Sequence, residues 1–198
     1  MPAAAQFRLN LFGRLVHGAM LGWFRRAGWQ AEGQLPVARK FILVGAPHTS
    51  NWDFLVFAGT IAAFGKQVHF IGKHTLFRWP FGAMMRELGG VPVDRSAPSD
   101  LVQQMADQFA ARDDFILIVA PEGTRKKTDR WKTGFYQIAL ATGAPMVCAG
   151  PDYVRRRGII GPVVHPTGDY DRDMAPALAF FRTLKPKFPE RGFIPSLA

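Results

Sequence analysis

The chain has 198 residues, of which 48% are hydrophobic and 20% are charged. This length suits one domain, and the apolar content excludes a disordered or fibrous protein. Lys and Arg number 25 against 15 Asp and Glu, and the net charge of +10 favours an anionic partner such as a phosphorylated substrate, an acidic lipid surface or a nucleic acid.

The first predicted element is a basic amphipathic helix over residues 7–26. One face carries polar and basic side chains: Asn10, Arg14, His17 and Arg25. The other face carries apolar side chains: Phe12, Leu15, Ala19 and Trp23. The charges interrupt the run too often for a transmembrane helix, which needs about 20 mostly apolar residues, and for a signal peptide. We expect residues 1–30 to lie on a membrane surface, at its cytoplasmic face; the alternative is a helix packed on the domain with its arginines in solvent.

From about residue 40 the chain alternates short apolar runs with helical patterns. This predicts a single α/β domain over residues 31–198, with a central, largely parallel sheet flanked by helices. Strands are predicted at 40–46, 67–71, 90–93, 115–119 and 145–149, and helices at 53–64, 80–88, 99–111, 132–142 and 173–183. Asp53, Ser99 and Asp173 suit positions at or just inside helix starts. Residues 150–168 predict irregular chain or short added strands, and the tail from Lys185 is predicted to wrap the surface without regular structure.

A histidine and a carboxylate, His48 and Asp53, follow the first predicted strand. In an open α/β sheet, sites collect at the carboxyl ends of strands, so His48 is placed to meet a substrate. A neighbouring carboxylate favours the imidazolium that forms when a histidine takes a proton, and it holds the ring in the useful tautomer. The pair therefore predicts a general base and its orienting acid, against the alternative of a helix-capping Asp53 and a loop histidine.

Cys148 is the single cysteine of the chain and stands in an apolar run. A disulfide within the chain is therefore excluded, and no cysteine pair supports a zinc site. We expect a buried structural thiol, and the cysteine content suits a reducing compartment, most simply the cytoplasm or its membrane face.

Two further blocks, Val93-Asp94-Arg95 and Glu122-Gly123-Thr124-Arg125, follow apolar segments and end in arginine. With His48 and Asp53, in this order, they resemble the glycerolipid acyltransferases, the lysophosphatidic acid acyltransferase family marked by His-x4-Asp. The resemblance spans roughly residues 40 to 150. It implies that the histidine deprotonates an acceptor hydroxyl, which then attacks an acyl thioester carbonyl, with no metal, no cofactor and no covalent acyl-enzyme.

The resemblance also implies which residues bind the acceptor. Arg95 and Arg125 would hold a glycerol phosphate, because guanidinium groups bind phosphate bidentately. Gly123 would allow a tight backbone approach beside Thr124, and Glu122 would align Arg125 or contact an acceptor hydroxyl. Lys73 occupies the place of a family lysine and joins this set.

The positive patch continues past Arg125 through Lys126, Lys127, Arg130 and Lys132, where the family usually has a serine after the arginine. These cations suit an anionic lipid or the phosphates of a coenzyme A or acyl carrier protein donor. We expect acyl transfer to a lysophospholipid-like acceptor at a membrane, with no nucleic acid partner. The alternatives are the same chemistry on a non-phospholipid acceptor, and a non-catalytic basic module that binds lipid or nucleic acid.

Overall fold

The computed structural model of the chain describes residues 11–80, 82–93 and 100–196. Four positions named above lie outside these ranges: Asn10, Asp94, Arg95 and Ser99. The described helices are α1 Leu11–Arg26, α2 Trp52–Ala63, α3 Gly82–Glu87, α4 Asp100–Ala110, α5 Gly134–Thr142 and α6 Tyr170–Thr183. The described strands are β1 Gln30–Glu32, β2 Lys40–Gly45, β3 His69–Lys73, β4 Gly90–Val93, β5 Phe115–Val119, β6 Met146–Asp152 and β7 Arg157–Val164.

The strands form one seven-stranded sheet in the order β1-β7-β6-β2-β5-β3-β4. Strands β2 to β6 are mutually parallel, whereas β7 runs antiparallel to β6 and pairs in parallel with β1. The predicted α/β class with a largely parallel sheet is confirmed, and all five predicted strands are present. The parallel strands bring their carboxyl ends to one edge, where substrate sites collect in open α/β sheets.

Each face of the sheet is covered by helices because alternate side chains of the buried strands point to opposite sides. On one face, Ile42 and Val44 of β2 join a core with apolar side chains of α4, α5 and α6. On the other, Phe41 and Leu43 of the same strand pack against α2. The sheet is therefore held on both sides, and its carboxyl edge is positioned by buried contacts.

Helix α1 packs on α2 along the side that carries Phe24. A Cβ on Gly59 of α2 would lie 2.6 Å from the ring of Phe24, so the two helices approach where only glycine fits. Trp23 stacks on Trp52 at 5.9 Å. Leu15 and Ala19 of the predicted apolar face are exposed, and the buried side of the helix carries Phe24.

The arginines of α1 are exposed: Arg14, Arg25 and Arg26. Within residues 11–80, 82–93 and 100–196, no helix has both the length and the apolar character needed to cross a bilayer.

Two strands lie beyond those predicted. Strand β1 has only three residues, and β7 falls in the segment for which short added strands were one option. Pro162 of β7 lies at a break in the β6–β7 register between Val147 and Ala149. A proline is tolerated at such a bulge because no ladder hydrogen bond is lost there.

The C-terminal strap, which we define as residues 185–196, contains only a short 3-10 turn at Pro189–Arg191. The prediction of a tail with little regular structure is confirmed in this range. The strap does more than cover the surface, however, because Phe193 and Ile194 pack against the main core. The backbone carbonyl of Lys185 also accepts a hydrogen bond from the N–H of Tyr153 at 2.8 Å.

Candidate active site

His48 and Asp53 meet at the carboxyl end of β2. His48 follows the strand, Asp53 lies in the first turn of α2, and Nδ1 of His48 is 3.3 Å from Oδ2 of Asp53. Nδ1 is buried. At 3.3 Å the contact is more electrostatic than a hydrogen bond of ideal geometry. With Nδ1 turned toward the carboxylate, Nε2 is the nitrogen available to the cleft that His48 lines.

The Asp53 carboxylate is fully buried and surrounded by donors. Oδ2 accepts the backbone N–H groups of Thr49 at 2.6 Å and Ser50 at 2.8 Å, and Oδ1 accepts the Ser50 hydroxyl at 2.8 Å. Burial raises the pKa of Asp53, but the contact with His48 and the hydrogen bonds from Tyr153 and Ser50 outweigh it and leave the pKa below its usual value. Asp53 is therefore held as an anion beside the imidazole.

Tyr153 completes this arrangement and was not predicted. Its hydroxyl donates to Oδ1 of Asp53 at 2.6 Å. Burial, together with the neighbouring carboxylate, raises the pKa of Tyr153, so the phenol keeps its proton and remains a donor. Tyr153 follows the end of β6, and the rule that placed His48 after β2 would have singled it out if that strand had been predicted to its observed end at Asp152.

Glu122 also serves the histidine loop. It is 3% exposed, and its Oε2 accepts the backbone N–H of His48 at 2.8 Å. Burial raises the pKa of Glu122, and the backbone amides of His48 and Phe193 partly offset that effect. The predicted contact of Glu122 with Arg125 is not the one observed; the carboxylate instead fixes the backbone of the proposed base.

The rest of this block forms a turn after β5. Gly123 has φ of 63°, a left-handed conformation that favours glycine. The Thr124 hydroxyl accepts the N–H of Lys126 at 3.1 Å. Arg125 is exposed, and its Nη1 donates to Oδ1 of Asn51, which lies between His48 and Asp53 in sequence. The turn therefore holds a guanidinium next to the histidine loop.

Lys73 ends β3 with an exposed side chain and does not line the cleft described below. Its backbone pairs with that of Val93 in β4, which precedes Arg95 by two positions in the sequence. The structure thus brings together His48, Asp53, Glu122 and Arg125, and leaves Lys73 outside the cleft.

A cleft of about 1180 Å³ opens at this edge of the sheet. Its volume exceeds the roughly 300–1000 Å³ of usual small-molecule sites. Aromatic and aliphatic side chains line part of it: Phe54, Phe57, Phe70, Leu101, Phe135 and Ile138. The polar lining combines His48 and Asn51 with four cations: Arg125, Lys126, Lys132 and Arg191. The cleft therefore combines an imidazole, cationic side chains and apolar walls.

The single cysteine has a structural position. Cys148 is buried in the sheet, and burial raises the pKa of its thiol to about 12, as expected of a structural cysteine. Among the residues that the structure describes, no three His, Cys, Asp or Glu side chains are grouped as ligands of one metal ion.

Residues 29–150 match the family model described as Acyltransferase, which is more than half of the chain. The chain belongs to the acyltransferase family. The matched range contains the histidine, the aspartate and the complete block that ends in Arg125; it stops before Tyr153 and the C-terminal strap.

Two relatives of this acyltransferase family member are informative. A 1-acyl-sn-glycerol-3-phosphate acyltransferase from Cocos nucifera is 32% identical to this chain over 144 residues. The match covers 70% of this chain and 45% of that protein, so the chain spans about half of the relative's length. The crystal structure of the 1-acyl-sn-glycerophosphate acyltransferase from Thermotoga maritima has a TM-score of 0.58 at 20% identity, covering 87% of this chain and 80% of the other. The second comparison shows a shared fold.

Proposed function

We propose that this chain transfers a fatty acyl group from an acyl thioester to a hydroxyl of a lysophospholipid-like acceptor, such as 1-acylglycerol-3-phosphate. The observation that carries the proposal is the His48–Asp53 contact at 3.3 Å, made at a cleft that also presents cations and apolar walls. Membership of the acyltransferase family and the name of the Cocos nucifera relative support it.

In this proposal His48 takes the proton from the acceptor hydroxyl as the oxygen attacks the thioester carbonyl. Asp53 stabilises the imidazolium that forms, and it does so as a charged group because its donors keep its pKa low. Collapse of the tetrahedral intermediate breaks the carbon–sulfur bond, and the leaving thiolate receives the proton from the imidazolium. The ring returns to its neutral state with no net change in the enzyme.

The binding roles follow from the cleft lining. Arg125 would hold the acceptor phosphate close to the histidine loop, because it is tied to that loop through Asn51. The apolar side chains, among them Phe54 and Phe70, would face acyl chains. Arg95 and Lys73 remain proposed phosphate ligands from the family resemblance. The donor is acyl-coenzyme A or acyl carrier protein, and a direct comparison of the two as substrates would distinguish them.

The experiment that tests the function is acyl transfer by the purified chain and two matched histidine variants. Labelled acyl-coenzyme A is offered with 1-acylglycerol-3-phosphate and with a panel of acceptors that lack phosphate. We expect His48→Ala to lower kcat/KM by about 100-fold or more, because a positioned base contributes roughly that much. His74→Ala is the control, since His74 is exposed. Equal losses in both variants would refute the role of His48, and transfer only to acceptors without phosphate would refute the phosphate role of Arg125.

We also propose that the enzyme works at a membrane surface, on its cytoplasmic face. Three exposed arginines of α1 support this, as does the exposure of Trp79, which is 93% in solvent, with Leu76 nearby in sequence at 51%. Exposed tryptophan and clustered cations are typical of interfacial binding. Replacing Trp79 by Ser should weaken sedimentation with anionic vesicles. Val154→Ser is the control because Val154 is also highly exposed, at 79%; equal binding by both variants would contradict this surface.

A further inference from the structure

We propose that Arg191, carried by the C-terminal strap, is a phosphate-binding residue of the acyltransferase site. The inference rests on the proposed function and adds a residue beyond the range that matches the family model, which ends at 150. The ligand chemistry is a phosphate group, supplied by the lysophospholipid acceptor or by the acyl-coenzyme A donor.

The strap is anchored on both sides of Arg191 to the parts of the chain that build the site. Before it, the N–H of Phe188 donates to the hydroxyl of Thr49, the neighbour of His48, at 3.4 Å. After it, the carbonyl of Phe193 accepts the indole N–H of Trp131 at 2.8 Å. The short turn between these anchors is closed by a hydrogen bond from the N–H of Arg191 to the Phe188 carbonyl at 3.0 Å. Arg191 is therefore delivered to the cleft by a fixed segment.

The guanidinium of Arg191 is also oriented before any ligand binds. It lies over the ring of Phe188, 4.4 Å from the ring centre. Its Nε is 3.6 Å from Oε1 of Glu190, and both side chains are largely exposed, so this ion pair is weak. This cation–π contact restrains the side chain, which lowers the entropy lost when its N–H groups bind a phosphate.

The positive charges of the cleft that Arg191 lines favour binding of an anion. Four cationic side chains line one cleft: Arg125, Lys126, Lys132 and Arg191. Among the described residues that line it, none is acidic. Like charges in one cleft repel one another, and this repulsion destabilises the empty site. A bound phosphate offsets the repulsion because each cation attracts it. A second guanidinium in the cleft that Arg125 also lines suits a group with several anionic oxygens.

The kinetic test compares Arg191→Gln with Lys185→Gln, which removes the same charge from the same strap. The Lys185 side chain is exposed and does not line the cleft. We expect Arg191→Gln to raise one KM by about tenfold, the usual effect of losing one charge-assisted hydrogen bond, and to raise KM by more than it lowers kcat. Arg191→Lys should lie between, because it keeps the charge and loses the bidentate geometry.

The substrate whose KM rises identifies the source of the phosphate. If the acceptor supplies it, the defect of Arg191→Gln appears with 1-acylglycerol-3-phosphate and disappears with 1-acylglycerol. If acyl-coenzyme A supplies it, the KM of the donor rises with either acceptor. Both results support the proposal. Equal values of both KM in Arg191→Gln and Lys185→Gln, with equal unfolding midpoints, would overturn it.

A binding measurement separates this inference from the proposed function. Inorganic phosphate should raise the unfolding temperature of the parent and of Lys185→Gln more than that of Arg191→Gln, because a ligand stabilises the folded chain that binds it. If the parent transfers no acyl group to any acceptor, the proposed function fails while this comparison still decides the role of Arg191. Equal phosphate-dependent shifts in all three proteins would overturn it.

Discussion

The hydrogen bond from Tyr153 to Asp53 offers the most specific test of the site. Replacing Tyr153 by Phe removes one hydroxyl and leaves the ring, which stacks edge-on against Trp29 at 4.9 Å. Oδ1 of Asp53 then keeps only the Ser50 hydroxyl at 2.8 Å, whereas Oδ2 keeps its two backbone donors. The carboxylate stays in place but loses a donor that favours its charged form.

The expected size follows from the bond that is lost. Hydrogen bonds to charged groups contribute about 1.5–3 kcal/mol, and the remaining Ser50 hydroxyl favours the lower end of that range. A loss of about 1.4 kcal/mol in the transition state lowers kcat/KM roughly tenfold. The hydrogen bond from Tyr153 lowers the pKa of Asp53, so its removal raises that pKa. The variant therefore holds Asp53 less firmly in the charged form that stabilises the imidazolium.

The assay is a pH profile of kcat/KM for Tyr153→Phe and for a matched control, Tyr136→Phe. Tyr136 also donates to a buried carboxylate at 2.6 Å, that of Asp173, but it does not line the cleft. Both variants should lose stability in urea unfolding; only Tyr153→Phe should lower kcat/KM, and it should do so across the pH range. Our account of the dyad fails if Tyr153→Phe keeps the parent profile while it is destabilised as much as the control.

Three further predictions concern stability and the arginine turn. Burial lowers the pKa of His69 to about 4. The unfolded chain takes up this proton below about pH 6.5, so the free energy of unfolding should fall by about 3 kcal/mol from pH 6.5 to 4; a His69→Leu variant with the same decline in urea titrations would contradict this. Gly59→Ala should lower the free energy of unfolding by about 1–3 kcal/mol, because its Cβ would overlap Phe24. An unchanged urea midpoint would show that α1 and α2 do not approach so closely. Gly123→Ala should raise the KM of the acceptor, since alanine is strained at a φ of 63°; an unaltered KM would mean that the turn tolerates the strain without moving Arg125.

The fold could be predicted where the local pattern and the tertiary environment agree. Apolar runs such as Phe41-Ile42-Leu43-Val44 signal a strand buried on both faces, and this strand is found at the middle of the sheet. Strand β7 gave a mixed signal because Gly161 and Pro162 lie inside it, and the bulge that accommodates them is set by pairing with β6. The three residues of β1 carry no periodic signal, and they become a strand only by pairing with β7.

The site, too, contains contacts between residues close in sequence, which could be predicted, and contacts between distant residues, which could not. His48 and Asp53 are close in sequence, so one strand-to-helix turn brings them together and spacing alone could predict the pair. Tyr153 is separated from Asp53 by 100 positions, and its contact depends on how far β6 runs and on the packing beside it. Arg191 reaches the cleft through a tail without periodic structure, so no local pattern placed it. Glu122 was predicted as a site residue, but its contact with the His48 backbone depends on the adjacency of β2 and β5.

These long-range contacts determine how the loop that carries His48, between β2 and α2, is held. The backbone N–H groups of Thr49 and Ser50 fix Asp53 from within the loop, and such local bonds can form in any chain with this turn. Glu122 adds a tie within the range of the family match, because its carboxylate accepts the N–H of His48. Tyr153 ties Oδ1 of Asp53 to the end of β6, and Phe188 ties Thr49 to the C-terminal strap. The position of His48 relative to the cleft is therefore set by Glu122 together with the chain after residue 150, which lies outside that range.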